Sequence, residues 1–213
     1  MRSSSASARP AASRRRPLAT IIAALLVTLP AAAPVRAQVR SVSDGLRVNV
    51  HAGLAHLGGD HGRSGVRPGI SVSYGNSRWF AGFVTYDRAP ISGDSLTLDL
   101  RHIDAGARVH LLGADSRLVP FVLAAYTWRT ADYGVIPFLG DTLDVKVHGS
   151  GLTLGGGAAW HPSPQLALEA SLERTGGAMD RVTADGLTFR REESAIPNAS
   201  VRLNVGLSWW IPR

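Results

Sequence analysis

SVRLNVGLSWWI, residues 200–211, alternates in character at nearly every position. Val201, Leu203, Val205, Leu207 and Trp209 fall on one side, and Ser200, Arg202, Asn204, Gly206 and Ser208 on the other. A period of two sorts side chains onto the two faces of a β-strand, whereas a helix would mix them. One face is wholly apolar and the other carries a charge, an amide and two hydroxyls. Such a strand separates two media of different polarity.

The pattern recurs along the chain from Gly45 onward, with no sustained helical period. It predicts eight strands, at 45–58, 66–75, 78–88, 95–112, 117–130, 145–161, 165–182 and 187–211. The first sets Leu46, Val48, Val50, Ala52 and Leu54 against Arg47, Asn49, His51 and Gly53. The sixth sets Leu152, Leu154, Ala158 and Trp160 against Thr153, Gly155, Gly157 and Ala159. The seventh sets Leu166, Leu168, Ala170 and Leu172 against Ala167, Glu169, Ser171 and Glu173. The third (WFAGFVTY) reads in either phase. The fourth changes phase near Arg101–His102, as a β-bulge or an exit from an apolar medium would make it do.

The connections between these strands alternate in length. Gly75-Asn76-Ser77, Gly113-Ala114-Asp115-Ser116 and His161-Pro162-Ser163-Pro164 are tight turns, while the intervening links are longer, polar and Gly-rich. Transmembrane barrels sort their loops in this way, with short turns on the inner side and long loops outside. The aromatic residues sort likewise. Tyr74, Trp79, Phe121, Trp160 and Trp209 lie toward the short turns, and Tyr86, Tyr126 and Trp128 toward the long loops. Two such groups predict a girdle at each membrane interface. In lipid an open sheet leaves unpaired edge groups that cost several kcal/mol each, so the eighth strand is expected to close on the first. The predicted fold is all-β, an eight-stranded antiparallel up-and-down barrel.

Composition excludes other classes. The net charge of +7 suggests nucleic acid, but six of the 23 basic residues and no acidic ones fall in the first 37 positions. The remainder has 17 basic and 16 acidic residues with no basic stripe, so no nucleic-acid partner is expected. The absence of cysteine rules out disulfides, thiolate metal sites and a lipidated cysteine. At the N-terminus Arg14, Arg15 and Arg16 precede the apolar run LATIIAALLVTL (18–29), followed by Pro30, Pro34 and Val35-Arg36-Ala37. This is the layout of a secretory signal peptide, too short to span a bilayer. It divides the chain into residues 1–37, cleaved, and 38–213, the barrel.

On these features residues 38–213 resemble the outer-membrane β-barrel proteins of Gram-negative bacteria, in their small eight-stranded form. The most specific resemblance is the C-terminal assembly signal, carried by Asn204, Gly206, Trp209 and Ile211; the trailing Pro212-Arg213 departs from the pattern. The resemblance implies an outer-membrane location, contact with membrane lipid and lipopolysaccharide, and insertion by the outer-membrane assembly machinery. It names no surface ligand.

The candidate functional groups are inward polar residues: Arg47, Asn49, Arg108, Glu169, Glu173 and Arg202. In so narrow a barrel they are expected to form a charge-satisfying plug rather than an ion path. His148-Gly149-Ser150 resembles the His-any-Ser pair of lipid A deacylases, but Gly151-Leu152 replace the residues that usually follow, and the nearest downstream acid is Glu169. His56, Asp60 and His61 have metal-ligand types in a loop, where solvation and turn formation use the same residues. The last long loop, with Asp180, Arg181, Asp185, Arg190, Arg191, Glu192 and Glu193, is expected to turn at Asp185-Gly186. No catalytic residue, metal or cofactor is assigned. The expected role is structural or surface-interacting, with two alternatives. One is a narrow channel for small or apolar solutes, suggested by Gly155–Gly157 and the apolar loop Tyr133–Leu139. The other, more remote, is lipid A modification.

Overall fold

A computed structural model of the chain describes residues 45–57, 63–75, 77, 79–92, 97–111, 116–138, 141–190, 196–197 and 199–211. The expected signal peptide at residues 1–37, Asp60, His61 and residues 191–195 lie outside these. The strands are β1 (Gly45–Leu57), β2 (Arg63–Gly75), β3 (Phe80–Ser92), β4 (Thr97–His110), β5 (Leu118–Phe138), β6 (Asp141–Ser163), β7 (Leu166–Ala184), β8 (Leu187–Arg190), β9 (Ile196–Pro197) and β10 (Ser200–Ile211).

Neighbours in sequence pair antiparallel from β1 through β7, and β10 pairs with both β7 and β1. Eight strands therefore close the ring, and the β10–β1 ladder runs from Leu46↔Ile211 to Leu57↔Ser200. The expected eighth strand, 187–211, is in fact three pieces. β8 returns along β7 as a hairpin, β9 pairs with β7 at Ala178 and Met179, and only β10 belongs to the wall. The hairpin turns at Asp185 (φ 48°) and Gly186 (φ 82°). Positive φ at both central positions is the type I′ geometry that matches the twist of the flanking strands.

The wall exposes what a soluble protein buries. Val50 and Leu54 of β1, Ile70 of β2, Val84 of β3, Leu152 and Leu154 of β6 and Leu172 of β7 all point outward and are exposed. On β10, Val201, Leu203, Val205 and Leu207 do the same. Soluble monomers rarely expose a contiguous apolar belt of this extent, and a hydrocarbon surround removes its cost. On β1 the belt runs from Leu46 to Leu54, which at the rise and tilt of a barrel strand spans roughly 20–25 Å. Tyr74, Trp79, Trp160 and Trp209 are exposed at its short-turn end, and Tyr86, Tyr126 and Trp128 toward the other. Phe121 is a correction to the expected girdle: it points inward and is buried.

β4 has no bulge at the expected phase change. Its ladders with β3 and β5 run without a register shift, and Leu98, Leu100, His102, Asp104 and Arg108 all face inward. The switch marks the strand's exit from the lipid belt: outward Ile103 gives way to Arg101 and Asp99, while the lumen turns apolar near the long-loop end. There Ala55, Ala89, Ile91, Leu98, Leu100, Ala131 and Met179 form one buried cluster, with Tyr133 and Val147 packed against it. A second cluster, Val119, Phe121, Leu123, Ala159, Ala167 and Trp210, fills the short-turn end with Phe83.

β5, β6 and β7 are longer than the membrane requires, and with β8 they continue as a four-stranded extension beyond the barrel. Register places Val147, Val182 and Phe189 on one face, joined by Val145, Ala184 and Leu187. Val147 packs on the apolar cluster, so this face continues the lumen side.

Candidate functional site

The lumen between the two apolar clusters is filled by charge in two tiers. In the lower tier Glu169, from β7, accepts from Arg47 of β1 at 2.6 Å, from Arg108 of β4 at 2.8 Å and from the Ser208 hydroxyl of β10 at 2.7 Å. Arg47 also donates to Ser73 at 2.9 Å. Both guanidiniums lie over aromatic rings of the lower apolar cluster, Arg108 at 4.0 Å from the Phe121 centroid and Arg47 at 5.2 Å from that of Trp210. Inward-facing Phe121 thus serves as a floor for a cation.

The upper tier centres on Arg202 of β10. It meets Asp104 at 2.8 Å, Glu173 at 3.1 Å and Asp87 at 3.6 Å, and donates to Thr153 at 3.1 Å. Arg67 pairs with Asp87 at 3.2 Å and donates to Asn204 at 2.8 Å. His102 lies 3.1 Å from the same Asp87. Glu173 accepts from Asn204 at 3.0 Å and from Ser171 at 3.0 Å. Between the tiers Asn49 donates to Ser208 at 2.8 Å and pairs with His51 at 3.1 Å. A cavity of about 30 Å³ remains, lined by Asn49, His51, Arg67, Thr85, Glu173 and Asn204 among others. That is room for about two waters, not for a conduit.

The structure therefore brings Arg47, Arg108 and Glu169 together, and separately Arg202 with Glu173. Sequence reading missed Arg67, Asp87, His102 and Asp104, all buried in the upper tier. Asp87 and Asp104 become inward residues once the phases of β3 and β4 are fixed, which the sequence left open.

The other candidates do not assemble. His148 bonds Thr130 at 3.2 Å on the outer face of the wall, whereas Glu169 points into the lumen. The hydrolytic pair therefore lacks the acid that its sequence pattern offered. His56 bonds Ser64 at 3.0 Å. Among the described residues no group of three or more His, Cys, Asp or Glu converges as a metal site. In the C-terminal signal Asn204 faces inward, whereas Trp209 and Ile211 face lipid. At Gly206 a Cβ would lie 2.8 Å from the His51 Cβ and the Val50 carbonyl, so only glycine fits against β1.

Above the belt, Asp99 accepts from Arg88 at 2.8 Å and from Arg101 at 3.1 Å. Partial burial alone would raise its pKa, but these hydrogen bonds prevail and hold the carboxyl below the ordinary range.

Neither a protein-family model nor a curated protein sequence matches this chain. Solved structures do. Neisserial surface protein A (NspA) superposes with a TM-score of 0.61 at 19% identity, covering 79% of this chain and 98% of that one. The chain has the fold of the small outer-membrane β-barrels. AlkL, determined in lipid bilayers, gives a TM-score of 0.53 at 12% identity over 85% of this chain and 97% of its own. OprG of Pseudomonas aeruginosa gives 0.52 at 9% identity over 80% and 98%. At these identities the likeness is one of fold, and the outer-membrane barrel fold accounts for the apolar belt and the sorted loops.

Proposed function

We propose that this outer-membrane barrel is a closed anchor that holds the β5–β8 extension at the cell surface for contact, and that it is neither a channel nor an enzyme. The observation that supports this most is the sealed lumen. Ile91 and Leu100 are wholly buried across one end, Phe121 and Trp210 are buried across the other, and paired charges fill the space between. An ion entering would have to desolvate against apolar side chains and then displace buried salt bridges. The glycines of β6 do not open a pore either: a Cβ at Gly155 would lie 2.8 Å from Glu173, so β7 fills the space they leave.

A second reading has one observation in its favour. The apolar face of the extension, with exposed Leu187 and Phe189, leads to the upper apolar cluster, a path that an apolar solute could follow. Flux assays in liposomes separate the two. The anchor reading expects entry of sugars, amino acids and apolar probes to equal that of empty liposomes. Protein-dependent entry of any class overturns it, and entry of apolar probes alone favours the second reading.

A further inference from the structure

The β5–β8 extension is a sheet with two open edges, and they differ. On β5 the ladder with β4 stops at Asp132 among the described residues. Beyond it the edge is interrupted: the ladder with β6 shifts register between Asp132 and Val135, Gly134 has φ 65°, and Pro137 has no N–H to offer. Bulges and prolines are devices that keep a sheet edge from pairing with another chain. β8 carries neither, and among the described residues it pairs with β7 alone.

The hairpin geometry fixes which groups β8 leaves open. A two-residue turn is closed by a hydrogen-bonded pair, here Ala184 and Leu187, and the bonding direction alternates along each strand. The Asp185 N–H, one residue past Ala184, accordingly points the other way, to the Asp144 carbonyl of β6. Leu187 and Phe189 therefore turn their main-chain groups toward β7, and Thr188 and Arg190 aim theirs at the open edge. Leu187 and Phe189 stand exposed on the apolar face of the sheet.

This edge is complementary to itself. In an antiparallel pair centred on Thr188, the Thr188 residues of two copies exchange two N–H···O=C bonds. Leu187 then stands opposite Phe189 twice and Arg190 opposite Gly186, so no like charges face each other. The two-fold axis of such a pair is perpendicular to the sheet. The extension continues the barrel wall, so this axis lies in the plane of the membrane, and rotation about it turns the second barrel upside down. Two copies side by side in one membrane cannot make the pair. An axis along the membrane normal would cross strands tilted by about 40° at about 80°.

We propose that the β8 edge pairs with β8 of a second copy on a facing outer membrane, so that the extension joins two cells. The inference rests on the anchor reading above. Thr183, opposite Thr188, lies eleven residues beyond Leu172, the last exposed leucine of the belt on β7. At strand rise and tilt that is roughly 30 Å above the belt, so a pair sets the two belts roughly 60 Å apart. Each pair makes few bonds, and many pairs acting in parallel hold the membranes together.

The test reconstitutes residues 38–213 into two vesicle populations that carry different dyes. Two-colour fluorescence correlation counts joined vesicles, cryo-electron microscopy measures the gap, and the heat-modifiable gel shift certifies the fold of each variant. The wild type should join vesicles at least tenfold above protein-free controls, across a constant gap of about 60 Å. T188P removes the edge N–H while leaving the β7 ladder intact, and should return joining to the control level. T188V keeps the N–H and loses only the hydroxyl shared with Thr183, and should join vesicles as the wild type does. L187K/F189K and L187E/F189E should each fail with themselves and join with one another. Folded wild-type protein that leaves vesicles apart overturns the pairing, as does undiminished joining by T188P or self-joining by either charged variant. Loss in T188V as complete as in T188P would mean that hydroxyls make the contact, and overturns the edge pairing. Protein-dependent solute entry into the same vesicles counts instead against the anchor reading, and is scored separately from joining.

Discussion

Glu169→Ala should cost about 3–5 kcal/mol of unfolding free energy, among the largest losses of any single substitution in the barrel. Among the described residues Glu169 is the one carboxylate that meets both Arg47 and Arg108, and it also accepts from Ser208. Its removal leaves two guanidiniums buried beside Phe121 and Trp210 with no counter-charge. The cost comes from stranding charge, not from losing packing. Replacing all three members with apolar residues of similar size, R47M/R108M/E169L, should therefore recover most of it. Denaturant unfolding in vesicles, followed by tryptophan fluorescence, measures both variants. A loss under about 1 kcal/mol for Glu169→Ala would show that water reaches this tier and screens it.

Arg202→Ala should produce a comparable loss in the upper tier. Arg202 lies within 4 Å of Asp104, Glu173 and Asp87. Asp87 retains Arg67 and His102, and Glu173 retains Asn204 and Ser171. Asp104 also feels the charges of the buried Arg67 and Arg129, but Arg202 is its contact partner at 2.8 Å, so it bears the largest share of the penalty. R202M/D104L should then be markedly more stable than R202A, by about 2 kcal/mol or more. Equal stability of the two would mean that Asp104 is not the stranded charge. Among the described residues the tiers share no ion pair, so the Glu169 and Arg202 effects should be close to additive.

The wall was legible in the sequence because lipid and lumen impose a strict period of two, and the belt on β1, β6, β7 and β10 follows it. The inward direction of Arg47, Asn49, Glu169 and Arg202 followed from the same period. Their partners did not. Arg47 and Glu169 are 122 positions apart, and which residues meet across a barrel depends on strand stagger, a property of the closed ring that no local pattern contains. The upper apolar cluster was hidden for a different reason. Leu98 and Leu100 face an apolar part of the lumen while Asp99 and Arg101 face outward above the belt, so the alternation inverts there and apolar residues no longer mark the lipid side. The single expected strand at 187–211 concealed a hairpin. Asp185-Gly186 marks a turn, but no local feature says that the turn continues the ladder of β7 outward before the chain comes back to the wall.

Whether the lumen is closed is decided by single-channel recording of refolded residues 38–213 in planar bilayers. A plugged barrel inserts, shows the heat-modifiable gel shift and gives no discrete openings at neutral pH. Reproducible openings of uniform size from the folded wild-type protein would refute closure, and would mean that the two charged tiers and the apolar clusters above and below them form a gate instead of a plug.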